Sequence, residues 1–133
     1  MKEPRWLPTD VVLALHNMQL AAFGGPPGIR DEGLLESALA RPRHRFSYAE
    51  PALSLARLAA SYAFGIVRNH PFVDGNKRTG LVAAFVFLEL NGLDVHASEE
   101  DACRVFMSLA SGDLSERALS EWLATNCGPR SRS

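Results

Sequence analysis

The chain has 133 residues, 47% hydrophobic and 22% charged, which is enough apolar content to bury a core and too much for a disordered tail. Its 14 Lys and Arg stand against 15 Asp and Glu, and that balance argues against a dedicated nucleic-acid or membrane-surface binder, which carries a basic excess. The length suits one domain, expected over residues 1–133 with a core from about 9 to 124.

The expected class is all-α, with about six helices. Thr9 can cap a first helix ending near Phe23, with Val12, Leu15, Gln19 and Ala22 on one face and Val11 and Met18 beside them. Gly24 and Gly25 stop it, and residues 24–30, with Pro26, Pro27 and Gly28, form a loop, read either as a lid or as a plain connection. Asp31 caps a short second helix to about Ala40, which Pro42 is expected to end. Residues 41–50 then form a basic and aromatic connection, and Pro51 suits the first turn of a third, mostly buried helix to about Asn69.

Pro71 and Gly75 interrupt the pattern between residues 70 and 76. A fourth helix is expected over about 77–91, apolar on every side between Leu81 and Leu88 and therefore central to the core. A buried strand is the competing reading of that run, but its length and the Asn91-Gly92 stop favour helix. The run is far shorter than the roughly 20 residues of a membrane span. No apolar leader follows Met1, because Pro8, Thr9 and Asp10 intervene, so the expected location is cytoplasmic. Residues 93–97 leave the only room for a strand. Ser98 with Asp101 resembles a capping box opening a fifth helix, Ser115 caps a sixth that ends near Asn126, and residues 128–133 are expected to be flexible. Cys103 and Cys127 have no zinc-type spacing, and Cys103, inside a helical pattern, is expected to be a small buried thiol.

The segment from His70 to Arg78, His-Pro-Phe-Val-Asp-Gly-Asn-Lys-Arg, is the densest polar cluster, and it lies between the two most apolar helices. Gly75 lets backbone approach a ligand closely. The next helix opens with free N–H groups and a positive dipole end, which suit phosphate. Lys77 and Arg78 sit at that same end, where they oppose the dipole unless an anion is bound. Asp74 stands where a magnesium ligand would, and His70 is a titratable base nearby. Singly, these residues also read as a structural histidine, a helix cap and solvated cations. Together they fit a base, a metal and a phosphate. The Walker pattern of a P-loop is absent.

These nine residues resemble the signature of Fic/Doc proteins, in particular the death-on-curing toxins. Phe23-Gly24-Gly25, residues 28–31, residues 33–42, Asn69 and Leu90-Asn91-Gly92 are similar too, so the resemblance covers roughly residues 9–124. It implies a Fic-type helical fold and nucleotide-dependent modification of a protein hydroxyl. By that likeness His70 is the catalytic base and Asp74 the metal residue, holding Mg2+. Gly75, Asn76, Lys77 and Arg78 form the nucleotide-phosphate loop, with ATP or another nucleoside triphosphate as co-substrate.

Two departures from the adenylyltransferase pattern matter. Lys77 replaces a second glycine, and Leu81 stands where a second arginine would be, which changes the phosphate clamp. In the Doc group this pattern goes with transfer of the terminal phosphate. The implied function is therefore a kinase toxin acting on Ser or Thr of a translation factor, elongation factor Tu by family likeness. The alternatives are AMP transfer by a Fic-type adenylyltransferase and a non-catalytic binding module.

The brake is expected on another chain. No Ser or Thr here has Glu four residues on, as the Fic inhibitory helix requires, and the chain is short for an appended inhibitory domain. An antitoxin protein would bind through a helix, along exposed sides of the first and third helices or at the turn formed by residues 41–45. That turn also lies where Fic relatives place a target-docking flap, with a solvated basic turn as the alternative. No direct nucleic-acid or membrane partner is expected. His16, His44 and His96 have no clustered partners in sequence and are assigned no chemistry.

Overall fold

A computed structural model describes residues 3–48 and 53–130. Among the described residues the chain runs α1 (Thr9–Phe23), α2 (Glu32–Tyr48), α3 (Leu55–Asn69), α4 (Asn76–Leu90), β1 (Leu93–Val95), α5 (Glu99–Ser111), α6 (Glu116–Asn126) and β2 (Cys127–Pro129). The fold is mostly helical, as expected, with one small sheet. None of these helices is long and apolar enough to cross a membrane.

α3 is the hub. Apolar and small residues surround it, nearly all its length from Ala56 to Ile66 is buried, and it packs against α2, α4 and α6. Close approach depends on two glycines. A β-carbon on Gly80 would lie 3.0 Å from the Ala63 carbonyl oxygen, and one on Gly65 would lie 3.1 Å from that of Ala38. The first contact draws the start of α4 tightly against the last turns of α3, and the loop between these two helices carries the signature residues.

Most caps follow the sequence. Asp31 Oδ1 accepts from the Leu34 N–H at 2.9 Å. Ser98 Oγ and Ser115 Oγ accept from the Asp101 and Ala118 N–H groups at 3.1 and 3.0 Å. Thr9 is not a cap: it is the first helical residue, and Pro8 precedes it without a side-chain bond.

Other expectations need correction. α2 does not end at Pro42 but runs through it to Tyr48. Proline removes the bond that the Ala38 carbonyl would accept, and that carbonyl lies against Gly65, where no side chain pushes it away. The extra turns are held from outside by Glu116 (below). α3 starts at Leu55, with Ser54 Oγ accepting from the Arg57 N–H at 3.2 Å; the Pro51 start lies outside the described residues. Gly128 and Pro129 are not a loose tail, since β2 pairs antiparallel with β1 in the register Leu93↔Pro129, Asp94↔Gly128 and Val95↔Cys127. Residues 131–133 lie outside the described residues. Cys103 is exposed rather than buried.

Candidate active site

His70 closes α3 in the left-handed region (φ 52, ψ 53) and is the one described non-glycine residue with positive φ. Such a conformation is costly and persists where the surroundings over-determine it. Here they do. The Arg30 guanidinium donates from Nε to the His70 carbonyl at 2.7 Å and from Nη2 to the Asn69 carbonyl at 3.0 Å. It thereby satisfies the end of α3 and meets the negative end of its dipole. The Pro71 carbonyl accepts from the Arg30 and Asp31 N–H groups, the Val73 N–H donates to Gly28, and Ile29 and Phe72 form an antiparallel bridge. Residues 28–31 therefore lie along residues 71–73, and the imidazole of His70 is left exposed.

The middle of the loop is anchored inward. Phe72 is fully buried. The Asn76 side chain, 3% exposed, accepts from the Phe72 N–H and donates to the Phe72 carbonyl, both at 2.9 Å. His16 on α1, also 3% exposed, stacks on Phe72 with ring centroids 3.8 Å apart, and its Nε2–H donates to the Asp74 carbonyl at 2.7 Å. Each of these bonds satisfies a polar group next to the core that would otherwise cost about 1–3 kcal/mol.

Gly75 (φ 80) precedes α4 without a side-chain cap. Asp74 does not cap that helix, since its Oδ1 accepts from the Gly75 N–H at 2.8 Å. Helix geometry leaves the N–H groups of Asn76, Lys77 and Arg78 without an intrahelical acceptor, and the first turn of α4 holds no acidic residue. A cleft of about 190 Å³ opens there, lined by His70, Asp74, Gly75, Asn76, Lys77, Arg78 and, from α5, Phe106. All six residues singled out in the sequence thus line one cleft. The Asn76 amide is spent on Phe72, so that residue offers the cleft its backbone.

Among the described residues, neither Lys77 nor Arg78 has an ion-pair partner. Arg78 lies between two aromatic rings, 4.2 Å from the centroid of Phe23 and 5.2 Å from that of Phe106. Stacking of this kind orients a guanidinium without neutralising it.

Fit to a divalent cation can be judged on Asp74. Its carboxylate is exposed, and Gly25 leaves room for Oδ2, from which a β-carbon at Gly25 would be only 2.5 Å away. Among the described residues no group of three or more His, Cys, Asp or Glu could cage a metal. A single exposed carboxylate of this kind could hold magnesium only together with phosphate oxygens.

The sequence matches the Fic/DOC family over residues 6–88, from the segment before α1 into the last turn of α4, a span that contains the whole loop and its struts. The chain belongs to that family. It is 34% identical over 119 residues to a protein named protein kinase doc from Escherichia phage P1, covering 90% of this chain and 93% of that one. It is also 43% identical over 76 residues to a protein named toxin Doc from Mycolicibacterium smegmatis, covering 57% of this chain and 58% of that one.

In this Fic/DOC chain several site residues were not singled out for chemistry from sequence. His16 was assigned none, yet it buttresses the loop; its one signal is the four-residue spacing from Val12, which puts both on the buried face of α1. Arg30 gave no signal beyond lying in a stretch similar to the family. Phe23 likewise lay in a stretch similar to the family and Phe106 had no cue, because their contact with Arg78 is tertiary.

Residues 41–45, read as a possible target-docking flap, are not part of this site. Arg41 donates to the Ser61 carbonyl and hydroxyl at 3.2 and 3.1 Å and reaches Glu116 at 2.7 Å, and Arg45 pairs with the same carboxylate. Ser61 lies nine residues before His70, about 13 Å along the helix axis. Partial burial pushes the Glu116 carboxyl up, but hydrogen bonds and charge from Arg41 and Arg45 outweigh burial and hold it below its ordinary value. The segment that does lie beside His70 is residues 28–31.

Proposed function

We propose that this Fic/DOC chain is the toxin of a toxin–antitoxin pair and acts in the cytoplasm as a protein kinase. It would move the terminal phosphate of ATP, or another nucleoside triphosphate, to a Ser or Thr of a translation factor, with elongation factor Tu as the first target to test. The observation that carries the reading is the single cleft in which an exposed His70 faces the uncapped, cationic start of α4. The names of the two relatives support it.

The terminal phosphate would sit on the N–H groups of Asn76, Lys77 and Arg78, with the Lys77 ammonium and Arg78 guanidinium stabilising charge on its oxygens. Asp74, with phosphate oxygens, would hold magnesium, which supplies further charge neutralisation. The target hydroxyl gives its proton to the His70 imidazole while its oxygen bonds to the terminal phosphorus. The bond from that phosphorus to the bridging oxygen breaks, and the nucleoside diphosphate leaves. A cleft of about 190 Å³ is small beside ordinary ligand pockets of roughly 300–1,000 Å³, which suits recognition of a phosphate end rather than a whole nucleotide. Leu81, where the adenylyltransferase pattern has a second arginine, is 7% exposed and lines an apolar groove, so no second guanidinium clamps the inner phosphates.

That groove, about 520 Å³ between α1, α4 and α5, is where the antitoxin helix would dock, with Phe23, Leu81, Val82 and Phe106 as its apolar lining. Of the surfaces weighed from sequence, α1 is a wall of this groove, whereas α3 is largely buried and Arg41 and Arg45 are bound to Glu116.

Incubation of the chain with a bacterial lysate and either γ- or α-labelled ATP tests the reading. Label transferred from the γ position only, with a phosphate mass on the target, is the expected result. Label from the α position would mean AMP transfer, and none from either would leave a binding module.

A further inference from the structure

A second polar cleft opens toward the other end of α3. It measures about 210 Å³, is lined by Arg45, Arg57, Glu116, Arg117 and Ser120, and adjoins a space of about 290 Å³ that shares Arg57, Arg117 and Ser120 and adds Glu121. Its walls include the first turns of α3 and α6, each capped by a serine and the second carrying Glu116, so their dipoles add only a weak positive field there. The first turn of α3 contains no acidic residue but does contain Arg57, the same reversal of dipole preference that marks the start of α4.

The charges do not balance. Glu116 is already shared by Arg41 and Arg45. Arg117 has only Glu121 among the described residues, at 4.0 Å and with both side chains exposed, a contact worth little. Arg57 has no ion pair among the described residues. Ser120 adds an independent sign. It is 8% exposed and lines both spaces, and its hydroxyl makes no hydrogen bond among the described residues. The hydroxyl is not sealed from solvent, since among the described residues the buried side-chain polar atom without a partner is Thr79 Oγ1; the open side of Ser120 is the cleft, where a ligand oxygen can replace water.

We propose that this cleft binds a phosphate monoester dianion, with Arg57 and Arg117 donating to its oxygens, the Ser120 hydroxyl donating from the floor and Arg45 at the edge. Arg57, without an ion pair among the described residues, and Arg117, with one weak exposed contact, leave positive charge for a dianion, and their planar forks suit phosphate oxygens. Arg57 lies 13 residues before His70 on the same helix, about 20 Å along its axis. The bound group is therefore separate from any nucleotide in the His70 cleft, and the inference does not rest on the transferase reading. A phosphorylated side chain and a small phosphorylated metabolite share this chemistry.

The test is an NMR titration of the full chain, following the Arg57 and Arg117 Nε–H signals and the Ser120 amide. The probes are inorganic phosphate, a neutral peptide with one phosphoserine, a sugar phosphate, and acetate at matched ionic strength. Saturable shifts at these three residues with phosphate but not with acetate are expected. Arg57→Gln and Arg117→Gln, both exposed and checked for unchanged fold by circular dichroism, should each weaken binding about tenfold or more, while Arg104→Gln should not. Tighter binding of the peptide would assign the site to a phosphorylated protein, and tighter binding of the sugar phosphate to a metabolite. No saturable shift at these residues, equal response to acetate and phosphate, or unchanged affinity in both arginine variants would overturn the proposal.

Discussion

Two groups of cations that meet α3 are used in opposite ways. Along its first half, Arg41 and Arg45 converge on Glu116, and Arg41 also bonds to Ser61. These charges are spent on joining α2, α3 and α6. At its C-terminal end, Lys77 and Arg78 stand at the start of α4 with no acidic partner among the described residues, and aromatic rings hold Arg78 in place. Paired cations secure the fold. Unpaired cations at a positive helix end are unfavourable for the empty protein and favourable once an anion arrives. Partner identity, rather than the number of arginines, separates scaffold from site.

The sharpest way to sharpen that contrast is at His70. His70→Ala should lower transfer by about 10²–10⁴-fold and leave the urea unfolding midpoint nearly unchanged, because its exposed ring contributes little packing. Near-normal transfer by a folded variant would remove His70 from the role of base. Asn76→Ala should break the contrast from the other side. Losing both bonds to Phe72 should cost about 2–3 kcal/mol in denaturant unfolding, and transfer should fall with it although the amide itself faces away from the cleft.

Glu116→Ala tests the scaffold end and should cost about 2 kcal/mol while a folded sample keeps its activity. The acid dependence follows from the same carboxyl. Its folded value lies below the ordinary 4.5. Its contribution to stability is therefore complete above that value and disappears as pH falls through the folded one. Unfolding followed from neutral pH downward should show an acid loss that is smaller in Glu116→Ala. The mildest effect is expected for Asp74→Asn, several-fold weaker nucleotide binding in magnesium and little change in chelator by calorimetry. Equal weakening in both conditions would leave Asp74 a role in loop structure alone.

Much of this was legible in sequence because it is local. Serine and aspartate caps, glycine stops and the apolar character of Leu81 to Leu88 each act within a few residues, and helices with those features are where they were expected. The nine-residue signature placed all six candidate residues around one cleft. What escaped depends on distant partners. Pro42 ordinarily ends a helix, and only Gly65 and Glu116, far along the chain, let α2 continue. The Gly128-Pro129 pair has poor strand propensity and is a strand because Asp94 and Leu93 lie opposite. His16 looks inert until Phe72 and the Asp74 carbonyl are placed against it.

The distances in sequence between the loop and its supports limit what can be moved elsewhere. The carbonyls of Asn69 and His70 are satisfied from Arg30, 39 and 40 residues earlier, and that of Asp74 from His16, 58 residues earlier. Grafting residues 70–78 onto another helical hairpin would transfer every candidate side chain and leave both supports behind. Such a graft would present the right chemical groups in an unrestrained loop, with His70 free to relax out of its left-handed conformation. Transplanting the activity would require α1, residues 28–31 and the α3–α4 pair together.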